Sequence, residues 1–196
     1  MRQACARVPM RVIGYCLMSN HFHAVLWPPG DHDMARWMEW LLTTQVSHYR
    51  KRYGGVGHVW QGRYRALPIQ QDDHLLTVLR YVERNALRAN LVTRAEDWLW
   101  SSLCEWLTPP ALPWLDPGPV ARGSDWLAHV NQPQTEAELT RLRASVGRGV
   151  PYGGEVWVKE TAAALGLEFT MRSRGRPRGR SHSGSAPEEG WFGEKE

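Results

Sequence analysis

Two histidines separated by a single residue are the first side chains in the chain whose spacing could support shared chemistry. His21 and His23 lie in an alternating apolar segment, residues 21–27, which is typical of a β-strand. Side chains at positions i and i+2 of a strand project from one face, so both imidazoles are expected to point the same way. They could bind a metal ion, but this spacing alone favours hydrogen-bonded histidines at a sheet edge.

A second pair with chemical potential lies on a predicted helix that Asp72 or Asp73 caps and that runs towards Asn85 or beyond. One stripe of this helix is apolar and is predicted to face the core: Leu75, Leu79, Val82 and Ala86. On a neighbouring stripe Tyr81 and Asn85 are four residues apart, so a hydroxyl and an amide oxygen can converge on one point. From the helix alone, a packed Tyr81 ring and a C-capping Asn85 are the favoured interpretation.

The elements around these residues follow from hydrophobic periodicity and turn chemistry. A β-hairpin is predicted from residues 11–18 and 21–27, with Ser19 and Asn20 in the turn. An amphipathic helix over residues 33–53, capped by Asp31 or Asp33, follows it. Further along, the pattern predicts a strand over 63–70, a proline-rich linker after Trp98 that wraps the core, and helices around 135–145 and 155–166.

Composition narrows the class of protein. The chain has 196 residues, enough for one ordinary domain with an appendage. Its three cysteines form no C-x-x-C pair, which argues against a disulfide framework and a zinc knuckle. Lys and Arg outnumber Asp and Glu by 24 to 20, so a polyanionic partner is plausible. No apolar run is long enough to cross a bilayer and no export signal is visible, so we expect a cytoplasmic protein without a membrane partner.

Taken together, these motifs resemble a known family. The segments YCLMSNHFHAVLWP, GRYRALPIQ, LRYVERNALRANLV and DWLWSS occur in the order found in the REP-associated tyrosine transposases. These are bacterial relatives of the single-tyrosine transposases of the HUH nuclease class. The resemblance is close over residues 11–107, and the stretch from Pro151 to Arg180 also resembles the C-terminal region of such proteins.

The resemblance implies an active site and a reaction. His21, His23 and Asn85 would bind a divalent metal, Mg²⁺ or Mn²⁺, and Tyr81 would be the nucleophile. A free phenol has a pKa of about 10, so the nucleophile would need the field of the ion or a nearby base. Attack on a phosphodiester would leave a 5′-phosphotyrosine and a free 3′-hydroxyl, so the strand could be rejoined without ATP. The implied substrate is a repetitive extragenic palindromic element, a hairpin flanked by single-stranded DNA, and the implied location is the nucleoid.

The resemblance also implies a fold and its divisions. We expect an α+β, ferredoxin-like HUH domain over residues 1–107, an antiparallel sheet with helices on one face. A linker and small helical region over 108–170 and an Arg-rich tail over 171–196, predicted to be disordered, would follow. Family members normally begin with a strand and a long helix before the hairpin, so the chain is expected to be truncated at its N-terminus. Ser19, Ala86 and Asn90 replace proline, proline and glycine, and Asn90 suits a left-handed helix terminus.

Basic side chains interleaved with aromatic rings are candidates for DNA contact, because cations track the phosphates while bases stack on rings. A solvated helix end and a core-facing strand explain the same pattern equally well. The arginine tail favours nucleic acid more strongly. The candidates are Arg50, Lys51, Arg52, Arg63, Arg65, Arg172, Arg174, Arg176, Arg178 and Arg180.

Two other functions remain open at this stage. A truncated, non-catalytic DNA-binding remnant would bind DNA without covalent capture. A metal hydrolase would use His21 and His23 with water as the nucleophile and would not need Tyr81. The oligomeric state, monomer or homodimer, cannot be inferred from these patterns.

Overall fold

The computed structural model describes residues 1–108 and 114–172. The first half contains helix α1 (Arg2–Arg7), strands β1 (Arg11–Leu17) and β2 (Phe22–Trp27), and helices α2 (Asp33–Tyr53), α3 (Asp73–Glu83) and α4 (Asn85–Arg88). A 3-10 turn at Ala95–Asp97 leads to α5 (Ser102–Leu107), α6 (Trp126–Asn131), α7 (Glu136–Arg148), α8 (Glu155–Ala164) and α9 (Glu168–Met171). Within the described ranges, no helix is both long and apolar enough to span a bilayer.

The predicted hairpin is confirmed. Strands β1 and β2 pair antiparallel, from Arg11 opposite Trp27 to Leu17 opposite Phe22. The backbone N–H of Met18 donates to the carbonyl of His21 at 2.8 Å, which closes the turn around Ser19 and Asn20. An α+β architecture with an antiparallel sheet is therefore correct, although in the described residues the sheet has two strands.

The expectation of helices on one face of the sheet is wrong. Ile13, Cys16 and Val25 share a buried cluster with α3 residues such as Leu79. Val12 and Tyr15 belong to a second cluster, which contains Trp37 and Met38 of α2. The physical reason is that both sets of alternating side chains on the hairpin are apolar, so each face must be covered.

The edge of β1 that does not face β2 is covered by segments from later in the chain. The Leu17 N–H donates to the Trp100 carbonyl at 2.8 Å, and the Asp116 N–H donates to the Val12 carbonyl at 2.8 Å. The Arg11 side chain also pairs with the Asp116 carboxylate at 2.7 Å. These contacts satisfy backbone groups that an open sheet edge would expose to other chains.

Helix α3 has the predicted cap and apolar stripe. The Asp72 carboxylate accepts a hydrogen bond from the His74 N–H at 2.8 Å, which caps the first turn. The four residues of the predicted core stripe are all buried: Leu75, Leu79, Val82 and Ala86. The helix after the hairpin is also confirmed as α2, but neither Asp31 nor Asp33 caps it, since its N-cap is His32 in a left-handed conformation (φ 64°).

The strand predicted over residues 63–70 is wrong. Arg63 and Arg65 lie in extended but unpaired backbone, and the pairing is limited to a single parallel bridge between Ile69 and Tyr152. The Gln70 N–H donates to the Tyr152 carbonyl at 2.9 Å, and the Tyr152 N–H donates to the Pro68 carbonyl at 2.8 Å. Pro68 has no N–H to donate, which limits a longer ladder at this point.

The C-terminal helices are confirmed and pack on the same core. A capping box between Thr135 and Glu138 starts α7, and Leu139 and Leu142 join the buried cluster of α3. A buried carboxylate ties α6 to this core, since Glu83 accepts hydrogen bonds from Trp126 Nε1 and Ser102 Oγ, both at 2.8 Å. Asn90 has a left-handed conformation (φ 56°), as expected for the end of a helix.

Helix α3 approaches the hairpin closely at Gly14. A Cβ atom at this position would lie 2.7 Å from Leu79 Cδ2 and 3.4 Å from Ser102 Oγ. Because real Cβ atoms do not approach so closely, any side chain here must displace the buried Leu79 side chain or helix α3.

We therefore expect Gly14→Ala to lower the free energy of unfolding by about 1–3 kcal/mol. Gly62→Ala is the matched control, because an added Cβ there meets no atom within 4 Å. It should change stability by less than about 1 kcal/mol. Urea unfolding followed by circular dichroism measures both, and equal stability of the two variants would contradict a tight contact at Gly14.

Candidate active site

The hairpin brings the two histidines together. His23 lies in β2 and His21 in the residue just before it, and their ring centroids are 5.1 Å apart in an edge-to-face arrangement. His21 is exposed and His23 is half-buried. The two imidazoles therefore lie side by side, as their spacing predicts.

The side chain of Asn20 orients His21. Asn20 Oδ1 lies 2.7 Å from His21 Nδ1, and an amide oxygen can only accept, so Nδ1 carries the proton and Nε2 keeps its lone pair. An outer hydrogen bond of this kind is what fixes the ring of a metal-binding histidine. Sequence reasoning assigned Asn20 to the turn alone, although its position directly before His21 was the available signal.

Tyr81 approaches His23 from α3. Its ring centroid is 5.8 Å from that of His23, with an angle of 83° between the planes, and the residue is only 8% exposed. This proximity depends on the packing of α3 against both strands, since Leu79 and Val82 of α3 share a cluster with Val25 of β2. The nucleophile candidate and the histidine pair thus meet in space.

Asn85 begins α4, one turn beyond Tyr81, and is 4% exposed. Its Oδ1 accepts a hydrogen bond from Arg88, whereas its Nδ2 is buried without a hydrogen-bond partner. It is not the C-cap of α3, a position that Arg84 takes. Arg88, which donates to this amide oxygen, also covers the Tyr81 ring, so Asn85 lies on the Tyr81 side of the site.

Burial sets the charge state of His23. Together with the smaller effects of His21 and Arg88, it lowers the pKa of His23 from 6.5 to about 4. His23 is therefore neutral at pH 7 and has a lone pair for a metal ion.

Comparison with known proteins relates this arrangement to a family. A family model described as "Transposase IS200 like" matches residues 1–85, a range that contains the hairpin, α2, α3 and Asn85. Over this N-terminal part the chain is similar to the IS200-like transposases. The resemblance to the REP-associated tyrosine transposases is confirmed at this level.

A curated relative supports the same assignment. Over 112 residues the chain is 26% identical to a protein of Haemophilus influenzae (strain Rd) whose name assigns it to the REP-associated tyrosine transposases. The match covers 52% of this chain and 63% of that protein, so the chain spans less than two thirds of the relative's length. No solved structure matches the chain.

The donor set of this candidate site suits a divalent metal. Two neutral imidazoles and one amide oxygen can bind an ion such as Mn²⁺, with water in the remaining positions. Within residues 1–108 and 114–172, no group of three or more His, Cys, Asp or Glu side chains offers an alternative metal site. The unpartnered amide nitrogen of Asn85 indicates that this side chain is not fully satisfied by the protein alone.

Arg88 is the site residue that sequence reasoning missed. Its guanidinium lies 3.9 Å above the centroid of the Tyr81 ring and hydrogen-bonds to Asn85. The available signal was its spacing, because Arg88 is three residues after Asn85 and seven after Tyr81 and so shares their helical face.

The basic candidates within the described residues are exposed, and most of them lie on two surfaces. At the C-terminal end of α2, an open groove is lined by His48, Tyr49, Lys51, Arg52 and Tyr53, and the two tyrosine rings lie 4.9 Å apart. Arg50 donates to the Gly57 carbonyl at 2.6 Å, so it also supports the following loop.

The second surface joins Arg65 to α7. Its guanidinium donates to the Gly147 carbonyl at 3.2 Å and lies beside Arg148, which hydrogen-bonds to the Arg172 carbonyl. Arg63 and Arg172 are exposed. Arg174, Arg176, Arg178 and Arg180 lie outside the described residues.

The lowered pKa of His23 predicts a pH dependence of stability in metal-free protein. Between about pH 6.5 and 4 the unfolded chain binds a proton that the folded chain excludes, so the free energy of unfolding should fall as pH falls through this window. His23→Gln should flatten the profile, as measured by urea unfolding in EDTA. His48→Gln, which removes an exposed histidine on α2, should leave it as in the wild type. A His23→Gln profile as steep as that of the wild type would contradict the burial of a neutral imidazole.

Proposed function

We propose that the chain is a transposase that cleaves and rejoins single-stranded hairpin DNA through a covalent bond to Tyr81. The observation that carries this proposal is the meeting of Tyr81 with the His21–His23 pair, with ring centroids 5.8 Å apart between Tyr81 and His23. The similarity of residues 1–85 to the IS200-like transposases, and the name of the Haemophilus influenzae relative, support DNA as the substrate and a REP element as its form.

The reaction follows from the residues in the site. Tyr81 Oη loses its proton and attacks the phosphorus in line with the leaving 3′-oxygen. The new bond joins Tyr81 to the 5′-phosphate, and the 3′-oxygen departs and gains a proton. Because one phosphoester replaces another, the reverse reaction with a different 3′-hydroxyl rejoins the strand.

His21, His23 and Asn85 would hold the metal ion, Mg²⁺ or Mn²⁺, on the Tyr81 side of the hairpin. When bound, such an ion reduces the negative charge on the non-bridging oxygens and orients the scissile bond. These three ligands carry no formal charge, so the positive charge of the ion remains available to the DNA.

The α2 groove and the Arg65 surface are the proposed contacts for the DNA backbone. In the groove, Lys51 and Arg52 supply charge next to two exposed rings, Tyr49 and Tyr53, which can stack on unpaired bases. The remaining proposed contacts, which supply charge alone, are Arg50, Arg63, Arg65, Arg172, Arg174, Arg176, Arg178 and Arg180.

The nucleophile is tested with a labelled single-stranded hairpin DNA and Mn²⁺, followed by denaturing electrophoresis. Wild-type protein should retain label, and Tyr81→Phe should reduce the adduct on the order of 10³-fold or more, since its ring has no hydroxyl to attack phosphorus. Tyr152→Phe is the matched control, because Tyr152 is also buried and packs edge-to-face on a histidine, His74, at 5.6 Å.

Other outcomes of this assay identify the alternatives. Cleavage that persists in Tyr81→Phe would assign a water nucleophile and hence a metal hydrolase. Binding of the DNA without cleavage or adduct by the wild type would identify a non-catalytic remnant.

The DNA contact is tested by fluorescence anisotropy at several salt concentrations. The double substitution of Lys51 and Arg52 by Gln should weaken binding and reduce the slope of log K against log salt by about 1–2, because up to two phosphate contacts are lost. Arg94→Gln removes an exposed charge that already pairs with Glu96, at 2.5 Å, and should leave the slope unchanged. Equal slopes in all three proteins would remove the α2 groove from the proposed DNA path.

A further inference from the structure

Arg88 contacts two residues of the proposed reaction, Tyr81 on α3 and Asn85 on α4. Its guanidinium covers the Tyr81 ring at 3.9 Å, and its Nη1 donates to the Tyr81 carbonyl at 3.4 Å. Its Nη2 donates to Asn85 Oδ1, the atom that a metal ion would take from this side chain. The family match ends at residue 85, so nothing in that match assigns a role to Arg88.

The hydrogen bond to Asn85 places a cation where a second cation would have to bind. A guanidinium and a divalent ion that share one amide oxygen would lie within a few ångströms of each other, and like charges at that separation repel strongly in a half-buried site. Asn85 therefore cannot serve Arg88 and the metal equally well at the same time.

Arg88 pairs with no anion in the part of the chain that the structure describes. Among residues 1–108 and 114–172, no carboxylate lies within 4.0 Å of its guanidinium. Burial lowers the pKa of Arg88, whereas Tyr81 raises it and the charge of Arg143 on α7 lowers it. The half-buried guanidinium contacts an aromatic face, a carbonyl and an amide, all of which are uncharged. It would donate a much stronger hydrogen bond to a phosphate.

We infer that Arg88 is a latch, a positioning residue that competes with the divalent metal for Asn85 Oδ1 until a DNA phosphate draws it away. This inference rests on the proposed function. In the latched state Asn85 turns its oxygen to Arg88 and the Tyr81 ring is covered. In the released state Asn85 is free for the metal, and the guanidinium contacts the phosphate beside Tyr81.

The latch makes metal binding and DNA binding cooperative. A ligand that removes Arg88 from Asn85 raises the affinity of the site for the other ligand, and by linkage the effect is reciprocal. The latch would keep the affinity of the site for the metal low in the absence of DNA. The complete metal site would then form only when the DNA is bound.

The test is a titration of each protein with Mn²⁺ alone, in which electron paramagnetic resonance measures free Mn²⁺. All proteins carry Tyr81→Phe, which removes the nucleophile but keeps a ring under the guanidinium. Arg88→Gln should lower the Kd for Mn²⁺ about tenfold, since outer contacts to a ligand change metal affinity by about 10- to 100-fold. Arg143→Gln removes a neighbouring charge without a bond to Asn85 and should change the Kd less than about threefold.

A double-mutant cycle with Asn85→Ala separates competition for the amide oxygen from loss of charge. In the Asn85→Ala background Arg88→Gln should have no more effect than Arg143→Gln, because no oxygen remains to be released. Single-stranded DNA should tighten Mn²⁺ binding more in the parent than in Arg88→Gln. Thermal unfolding of each variant identifies any that fails to fold, and Arg88→Met, which keeps the unbranched apolar stem but has neither charge nor donor, then replaces Arg88→Gln with the same expected result.

Failure of the latch and failure of the proposed function give different results. If Mn²⁺ does not bind, or binds equally well to His21→Ala, the metal site fails and the latch fails with it. If Mn²⁺ binding requires His21 but the substitution of Arg88 leaves the Kd unchanged or raises it, the latch alone is wrong.

Discussion

The contact of α3 with the hairpin at Gly14 is the constraint on which the candidate site depends. The histidines are carried by β2 and its turn, and Tyr81 and Asn85 are carried by α3 and α4, so their meeting is set by the distance between strand and helix. The missing side chain of Gly14 lets Leu79 lie against the strand. Ser102 and Trp126 donate hydrogen bonds to Glu83, the last residue of α3, and so fix the C-terminal end of the same helix.

The charges around the candidate site favour the binding of an anion. Burial keeps His23 uncharged, and the charged group next to Tyr81 is Arg88, whose pKa is also lowered by the charge of Arg143. A positive charge next to a buried tyrosine is costly in the folded chain unless an anion pairs with it, and the described residues place no carboxylate within 4.0 Å of Arg88. Under the proposed function, a phosphate of the DNA would supply this anion and would make a divalent metal easier to bind.

Sequence patterns predicted the elements better than their arrangement. The hairpin, α2, α3, α7 and α8 were each predictable, because each has a strong period and recognisable turn or cap residues. Residues 63–70 were predicted as a strand because their composition is β-prone. Pro68 has no N–H, and the pairing of this segment with the chain around Tyr152 is limited to one bridge. Helices on one face of the sheet were expected from the family resemblance, and the covering of the second face was missed because it depends on the packing of α2 against Val12 and Tyr15.

The sequence by itself determined which residue types could do the chemistry and on which elements they lie: His21 and His23 by strand spacing, Tyr81 and Asn85 by helical spacing. These are local properties, set by the geometry of a few residues of backbone. Only the tertiary structure decided that Tyr81 meets His23, because this contact depends on how closely α3 packs against the hairpin. Spacing along the chain places Asn20 next to His21 and Arg88 within reach of Asn85, but the folded structure decided which polar atoms pair.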